Sequence, residues 1–221
     1  MIGELIKINP GDLPSRRNKP KKPPFFRRTW VRVALLLMVA FGLVGYFGLK
    51  AYLKPFIEKA ATFDMNQVTI LEQSSIVVDR AGKEIGRIAN ENRVTIPYKD
   101  MPRHLVDALV AAEDGRFWTH KGIDYKGVAR AMKDNIMASR ITQGASTITQ
   151  QLARQTYGLF EKTKERKVLE MMVARRIEET YDKEQIMEHY LNRIFFGKGF
   201  YGIEAAAQGY FSKPARELTK G

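Results

Sequence analysis

Hydrophobic and polar positions divide the chain into stretches of different period. Val33 to Leu49 is an uncharged apolar run of 17 residues, about 25 Å long as a helix. Trp30 and Arg32 precede it and Lys50, Tyr52 and Lys54 follow, so interfacial aromatics and snorkelling cations extend it across a bilayer. A buried core helix of that length is rarely apolar all round. A cleaved signal peptide needs a small-residue site just after the run, which Lys50-Ala51-Tyr52-Leu53 does not supply. The pattern therefore predicts an uncleaved membrane anchor, continued from Ala51 to about Met65 by a juxtamembrane helix.

Beyond it the period changes. Ser75-Ile76-Val77-Val78-Asp79 and Glu84-Ile85-Gly86-Arg87-Ile88 are short β-like runs around Arg80-Ala81-Gly82-Lys83, which predicts a hairpin. Pro102 starts a helix in which Leu105, Ala108, Leu109 and Ala112 recur, and Glu113 and Asp114 close it. Residues 125–138 place Val128, Met132 and Ile136 on one helical face, and another helix begins around Thr147 to Gln151. Residues 164–192 contain neither Gly nor Pro and carry an apolar stripe of Val168, Met172, Val173, Ile177, Tyr181, Ile186 and Tyr190. The fold class that follows is mainly α, with a small β-hairpin at the start of the domain and one transmembrane helix before it.

Charge sharpens this division. Residues 1–32 hold nine Lys and Arg against Glu4 and Asp12, more than half of the net +13. Beside an anchor, such a Pro-rich basic arm reads as disordered and as a topology signal that keeps this end cytoplasmic, not as a nucleic-acid site. The chain has no cysteine, which removes disulfides, thiolate zinc sites and cysteine nucleophiles. His104, His120 and His189 lie far apart and form no metal-ligand spacing. Neither a phosphate-loop motif nor Ser-x-x-Lys occurs, so a penicilloyl-type serine acyltransferase is not encoded here.

The candidate chemistry is concentrated between Glu113 and Gln151. Glu113-Asp114-x-x-Phe117-x-x-His120-x-Gly122 sets two adjacent carboxylates where a helix runs into a loop, a pairing of like charges from which a general base can be built. Read alone, the pair is equally a solvated helix end. Ser146-Thr147-Ile148-Thr149-Gln150-Gln151 is expensive to bury unless a polar ligand satisfies it, although a cap and a polar helix face would account for part of it. Arg166-Lys167-x-x-Glu170 alone would be a surface salt-bridge ladder. Gly197-Lys198-Gly199-Phe200-Tyr201-Gly202 matches a dinucleotide fingerprint by letter, but no βαβ unit surrounds it, and it reads as a helix connection.

The order of these pieces is more specific than any one of them. Followed by Lys183-x-x-Ile186-x-Glu188-x-Tyr190-Leu191-Asn192 and Tyr201-Gly202-Ile203-Glu204-x-Ala206-Ala207, it resembles the motifs of the peptidoglycan glycosyltransferases, glycosyltransferase family 51. These are found as monofunctional transglycosylases and as the N-terminal half of class A penicillin-binding proteins. The resemblance covers roughly residues 70–221 and implies a lysozyme-like helical fold that polymerises lipid II at the outer face of the bacterial cytoplasmic membrane. It implies Glu113 as the general base and Glu170 as a second carboxylate that orients cations or substrate. Arg130, Arg154 and Lys167 would face the diphosphate leaving group; Ser146, Thr147, Gln150 and Gln151 would bind sugar and diphosphate oxygens; Asp114 and His120 would shape the first loop. Lys162 stands where the family usually has arginine, and lysine cannot form the bidentate fork that arginine offers a phosphate.

The expected organisation is a basic cytoplasmic tail over 1–30, an anchor over 31–53, a juxtamembrane linker over 54–69 and the glycosyltransferase domain over 70–221, with its C-terminal helices missing. No metal site and no firm cofactor are implied, with a divalent cation left open. The implied partners are lipid II, the growing glycan strand, the membrane and other wall-synthesis proteins. Two rival readings stay open. One is a shortened relative that binds lipid II or wall-synthesis proteins without turnover; the other is a lysozyme-like hydrolase of finished glycan.

Overall fold

The computed structural model describes residues 29–71, 75–82, 84–88, 92–138 and 146–219. The basic arm, residue 83 of the expected turn, and Gly144 and Ala145 lie outside the described residues. The chain divides into two compact units, one ending at Ala51 and the other running from Tyr52. The described residues of the first all lie in helix α1, Thr29–Ala61, which is long and apolar enough to cross a membrane. Leu36, Phe41 and Val44 are all exposed, so its apolar surface is continuous around the axis. The helix passes the expected boundary at residue 53 and takes in Pro55 before ending at Ala61.

The second unit is mainly helical. β1 (Ser75–Val78) and β2 (Glu84–Ile88) form the expected antiparallel hairpin, with Ser75 opposite Ile88. Its turn is closed by Asp79, whose carboxylate accepts from Ala81 N at 2.8 Å. Short β3 (Asn92–Arg93) lies parallel to β4 (Phe200–Tyr201). Among the described residues the unit also holds the α-helices α2 (Arg103–Glu113), α3 (Tyr125–Ala138), α4 (Ile148–Thr156), α5 (Lys164–Thr180), α6 (Lys183–Arg193) and α7 (Ile203–Phe211). The Gly197–Gly202 stretch is the connection from α6 to α7, carrying β4 within it.

The core forms where α4 packs against both α5 and α6. Leu152, Val173, Ile177, Ile186, Met187 and Leu191 are fully buried there. The 164–192 stretch is helical but in two pieces, because Asp182 starts α6 with a reciprocal capping box to Gln185. On α2 the buried ridge is Val106 and Val110; the expected Leu105 and Leu109 pack only partly, and Ala108 and Ala112 are exposed. On α3 the expected face of Val128, Met132 and Ile136 is exposed, and Ala131 is buried instead.

The juxtamembrane end is clamped through its backbone. Arg176 donates to the carbonyls of Ala60 and Phe63, and Tyr157 and Tyr181 donate to those of Asp64 and Met65, both at 2.9 Å. Arg193 donates to the carbonyls of Gln67, Val68 and Ile70. Side chains from α4, its C-terminal end, α5 and α6 thus supply the donors that this irregular segment lacks.

Candidate active site

α2 delivers Glu113 to the edge of a cleft of about 490 Å³, whose lining includes Asp114, Arg116, Asp124, Arg130, Ser146 and Thr147. Glu113 is exposed, and its Oε2 accepts from Gln151 Nε2 at 2.9 Å. Asp114, one residue on, is buried and plays a different part. It accepts from His120 Nε2 at 2.8 Å and from the backbone N–H of Ile148, at the start of α4, at 3.0 Å. A carboxylate on a helix N-terminus meets both an orphan donor and the positive end of the dipole.

The loop from 114 to 122 is pinned at two further points. Phe117 is fully buried, with the Lys183 ammonium 4.4 Å from its ring centre. The Gly122 carbonyl accepts from Thr147 Oγ1 at 2.7 Å and from Gln150 Nε2 at 3.4 Å. Gly122 has φ +81°, and a Cβ there would lie 2.9 Å from the Ala174 carbonyl oxygen on α5, so the close approach and the left-handed backbone both demand glycine.

Beneath Ser146 lies a buried polar cluster. Lys167 Nζ donates to Ser146 Oγ at 2.8 Å, to Gln150 Oε1 at 2.7 Å and to Glu170. All three of its protons are thereby used. Arg166 also pairs with Glu170, which is fully buried, so the Arg166-Lys167-x-x-Glu170 run sets a buried carboxylate beneath two partly exposed cations and is not a surface ladder. Burial pushes the Lys167 ammonium below its ordinary pKa, against the opposing pull of Glu170. A second cluster sits below the loop, where Glu178 accepts from Thr149 Oγ1 and from Lys183 Nζ, each at 2.6 Å. Burial lowers the Lys183 pKa, and Glu178 and then Asp114 oppose the shift.

The residues singled out in the sequence are therefore not equivalent. Glu113, Asp114, Arg130, Ser146 and Thr147 share the cleft wall. Thr147, which caps α4, and Gln150 are buried with their hydrogen bonds met inside the protein, so much of the polar run is satisfied without a ligand. Lys167, itself paired with Glu170, holds Ser146 and Gln150 from below. The half-buried Arg154 and the exposed Arg130 and Lys162 make no side-chain hydrogen bond or ion pair among the described residues. No group of three or more His, Asp or Glu placed to hold a metal ion occurs among those residues.

A family model described as Transglycosylase matches residues 81–221. The chain belongs to the transglycosylase family, that of the peptidoglycan glycosyltransferases. Penicillin-binding protein 1A of Aquifex aeolicus (strain VF5) is 42% identical over 174 residues, which cover 79% of this chain and 24% of that protein. Penicillin-binding protein 1F of Bacillus subtilis (strain 168) is 37% identical over 194 residues, 87% of this chain and 26% of the relative. Penicillin-binding protein 1A of Escherichia coli (strain K12) is 37% identical over 193 residues, 86% of this chain and 22% of the relative. The chain thus spans about a quarter of the length of these curated relatives.

In this transglycosylase domain several site residues escaped sequence reasoning. Arg116 lines the cleft and pairs with Asp124, which also accepts from Gly127 N at 2.9 Å within the first turn of α3. Both lie inside or beside the first motif, but only the tertiary turn brings them together. Glu178 and Lys183 were visible as helix positions, yet their pairing depends on the turn between α5 and α6, and Tyr190 stood on the apolar stripe without its hydroxyl's partner, Gln151, being legible.

Proposed function

We propose that this chain is a membrane-anchored peptidoglycan glycosyltransferase that polymerises lipid II into glycan strands. The observation that carries the reading is the shared wall of one cleft. The exposed Glu113 carboxylate, tethered through one oxygen, stands with the Arg130 guanidinium and the Ser146 hydroxyl, the latter held on Lys167. In the reaction Glu113 takes the proton of the acceptor GlcNAc 4-hydroxyl. That oxygen forms a bond to C1 of the donor MurNAc as the bond from C1 to the diphosphate breaks, inverting the anomeric centre and releasing undecaprenyl diphosphate. Negative charge grows on the departing diphosphate, where Arg130 and Arg154 stabilise it. The saturated hydrogen bonding of Lys167 suits it to ordering Ser146 and Gln150 at that end of the cleft.

The apolar helix α1 and the dense cations before it support an anchor with a cytoplasmic N-terminus and a domain on the outer side of the membrane. The test is product analysis with lipid II and, separately, with finished glycan strands. Polymer accompanied by stoichiometric undecaprenyl diphosphate is expected from the first and nothing from the second. Soluble fragments released from finished glycan would overturn the transferase reading in favour of hydrolysis.

A further inference from the structure

In the Lys183-x-x-Ile186-x-Glu188-x-Tyr190-Leu191-Asn192 run, most polar side chains bond to the scaffold. Lys183 pairs with Glu178. Glu188 accepts from Tyr98 N at 2.7 Å, and Asn192 exchanges two hydrogen bonds with the backbone of Ile96. Tyr190 is different. Its ring is buried, and its hydroxyl donates to Gln151 Oε1 at 3.1 Å, on the side chain whose Nε2 donates to Glu113. We propose that Tyr190 is a positioning residue for Glu113, acting through Gln151. The proposal rests on reading Glu113 as the base, and it adds a residue that this reading did not contain.

The direction of the relay follows from what each group can do. An ionised carboxylate only accepts, so Gln151 must turn its Nε2 toward Glu113. Its Oε1 then faces Tyr190, and the phenol must donate. A flipped amide would set oxygen against carboxylate and leave the phenol as acceptor. Burial, followed by the negative charge of Glu113, pushes the Tyr190 hydroxyl up to about 12, so it stays a protonated donor through the neutral range. The result is an exposed carboxylate with Oε2 tied in place and Oε1 without a partner among the described residues. That is the arrangement a base needs: one oxygen fixes its orientation and the other takes the proton.

Tyr190→Phe keeps the buried ring and removes only the donor, so the fold is retained. With the full chain and lipid II, kcat is expected to fall about 10-fold to 100-fold with KM little changed. Gln151→Ala should cause the same changes, and adding Tyr190→Phe to it should change nothing further. Losses that multiply in the double variant, or a change confined to KM, would overturn the relay. A readout independent of turnover separates this from failure of the function itself. The side-chain amide of Gln151, selectively ¹⁵N-labelled, should shift and narrow toward that of a free glutamine in Tyr190→Phe. If wild-type chain makes no polymer, the proposed function falls; if that resonance is unmoved by Tyr190→Phe, the relay falls.

Discussion

At Gly122 a left-handed backbone coincides with close contact against the α5 backbone, and two hydrogen bonds end on its carbonyl. Gly122→Ala is therefore expected to cost about 1–3 kcal/mol, read as a lowered urea midpoint, and to loosen the loop that carries His120. Glu170 is a harsher case. It is fully buried and neutralises Arg166 and Lys167, so Glu170→Leu leaves two cations facing a hydrophobic side chain. The loss should be about 3 kcal/mol, the lower end for a broken buried pair because both cations keep some contact with water. Thermal unfolding of the two proteins measures it. Gly122 stood out in the sequence as part of a motif, but the reason for it lies in the approach of α5, some fifty positions away. Glu170 is the converse case. Its spacing from Arg166 and Lys167 is that of an ordinary surface pair, and only the packing of α5 against α4 turns the same three residues inward.

Among elements, the end of α2 was the most legible, since Pro102 and the Glu113-Asp114 pair mark both boundaries and the structure has them at the same places. The hairpin was legible for the same kind of reason, a glycine turn between two β-branched runs. The division of 164–192 was harder to see. No Gly or Pro marks it, and the break rests on Asp182, whose capping box with Gln185 satisfies the first donors of α6. Asp182→Ala should destabilise the domain by about 1 kcal/mol, seen as a lower melting temperature with far-UV circular dichroism nearly unchanged. The polar run at the start of α4 was open to two readings for a related reason. A run of hydroxyls and amides suggested a ligand, whereas Thr147, Thr149 and Gln150 spend most of their hydrogen-bonding capacity on Gly122, Glu178 and Lys167.

For the molecule as a whole, the long apolar helix and the mainly helical unit after it were both readable from the hydrophobic period, and the family assignment from the order of five motifs. The clamp of α1's C-terminal end was not, because Arg176 and Arg193 look like surface cations until the carbonyls of 60–70 are brought to them. Global stability should also carry a pH dependence from His189, which lies against the ring of Tyr181. Burial lowers its pKa below the ordinary 6.5, with Glu188 opposing. The unfolded chain thus takes up this proton first as pH falls, so the contribution is complete above about 6.5 and is lost on acidification toward the lower, folded pKa. Urea unfolding followed between pH 7.5 and 5, beside His189→Gln, should show a shallower decline in the variant.

The central claim is that Glu113 is the proton acceptor of a glycosyl transfer. The most direct measurement is lipid II polymerisation by the chain in detergent, beside Glu113→Gln, which keeps the shape and removes the acceptor. Polymer from the first and a loss of about 10² to 10⁴ in rate for the second is the predicted result. Equal turnover by the two proteins would contradict it.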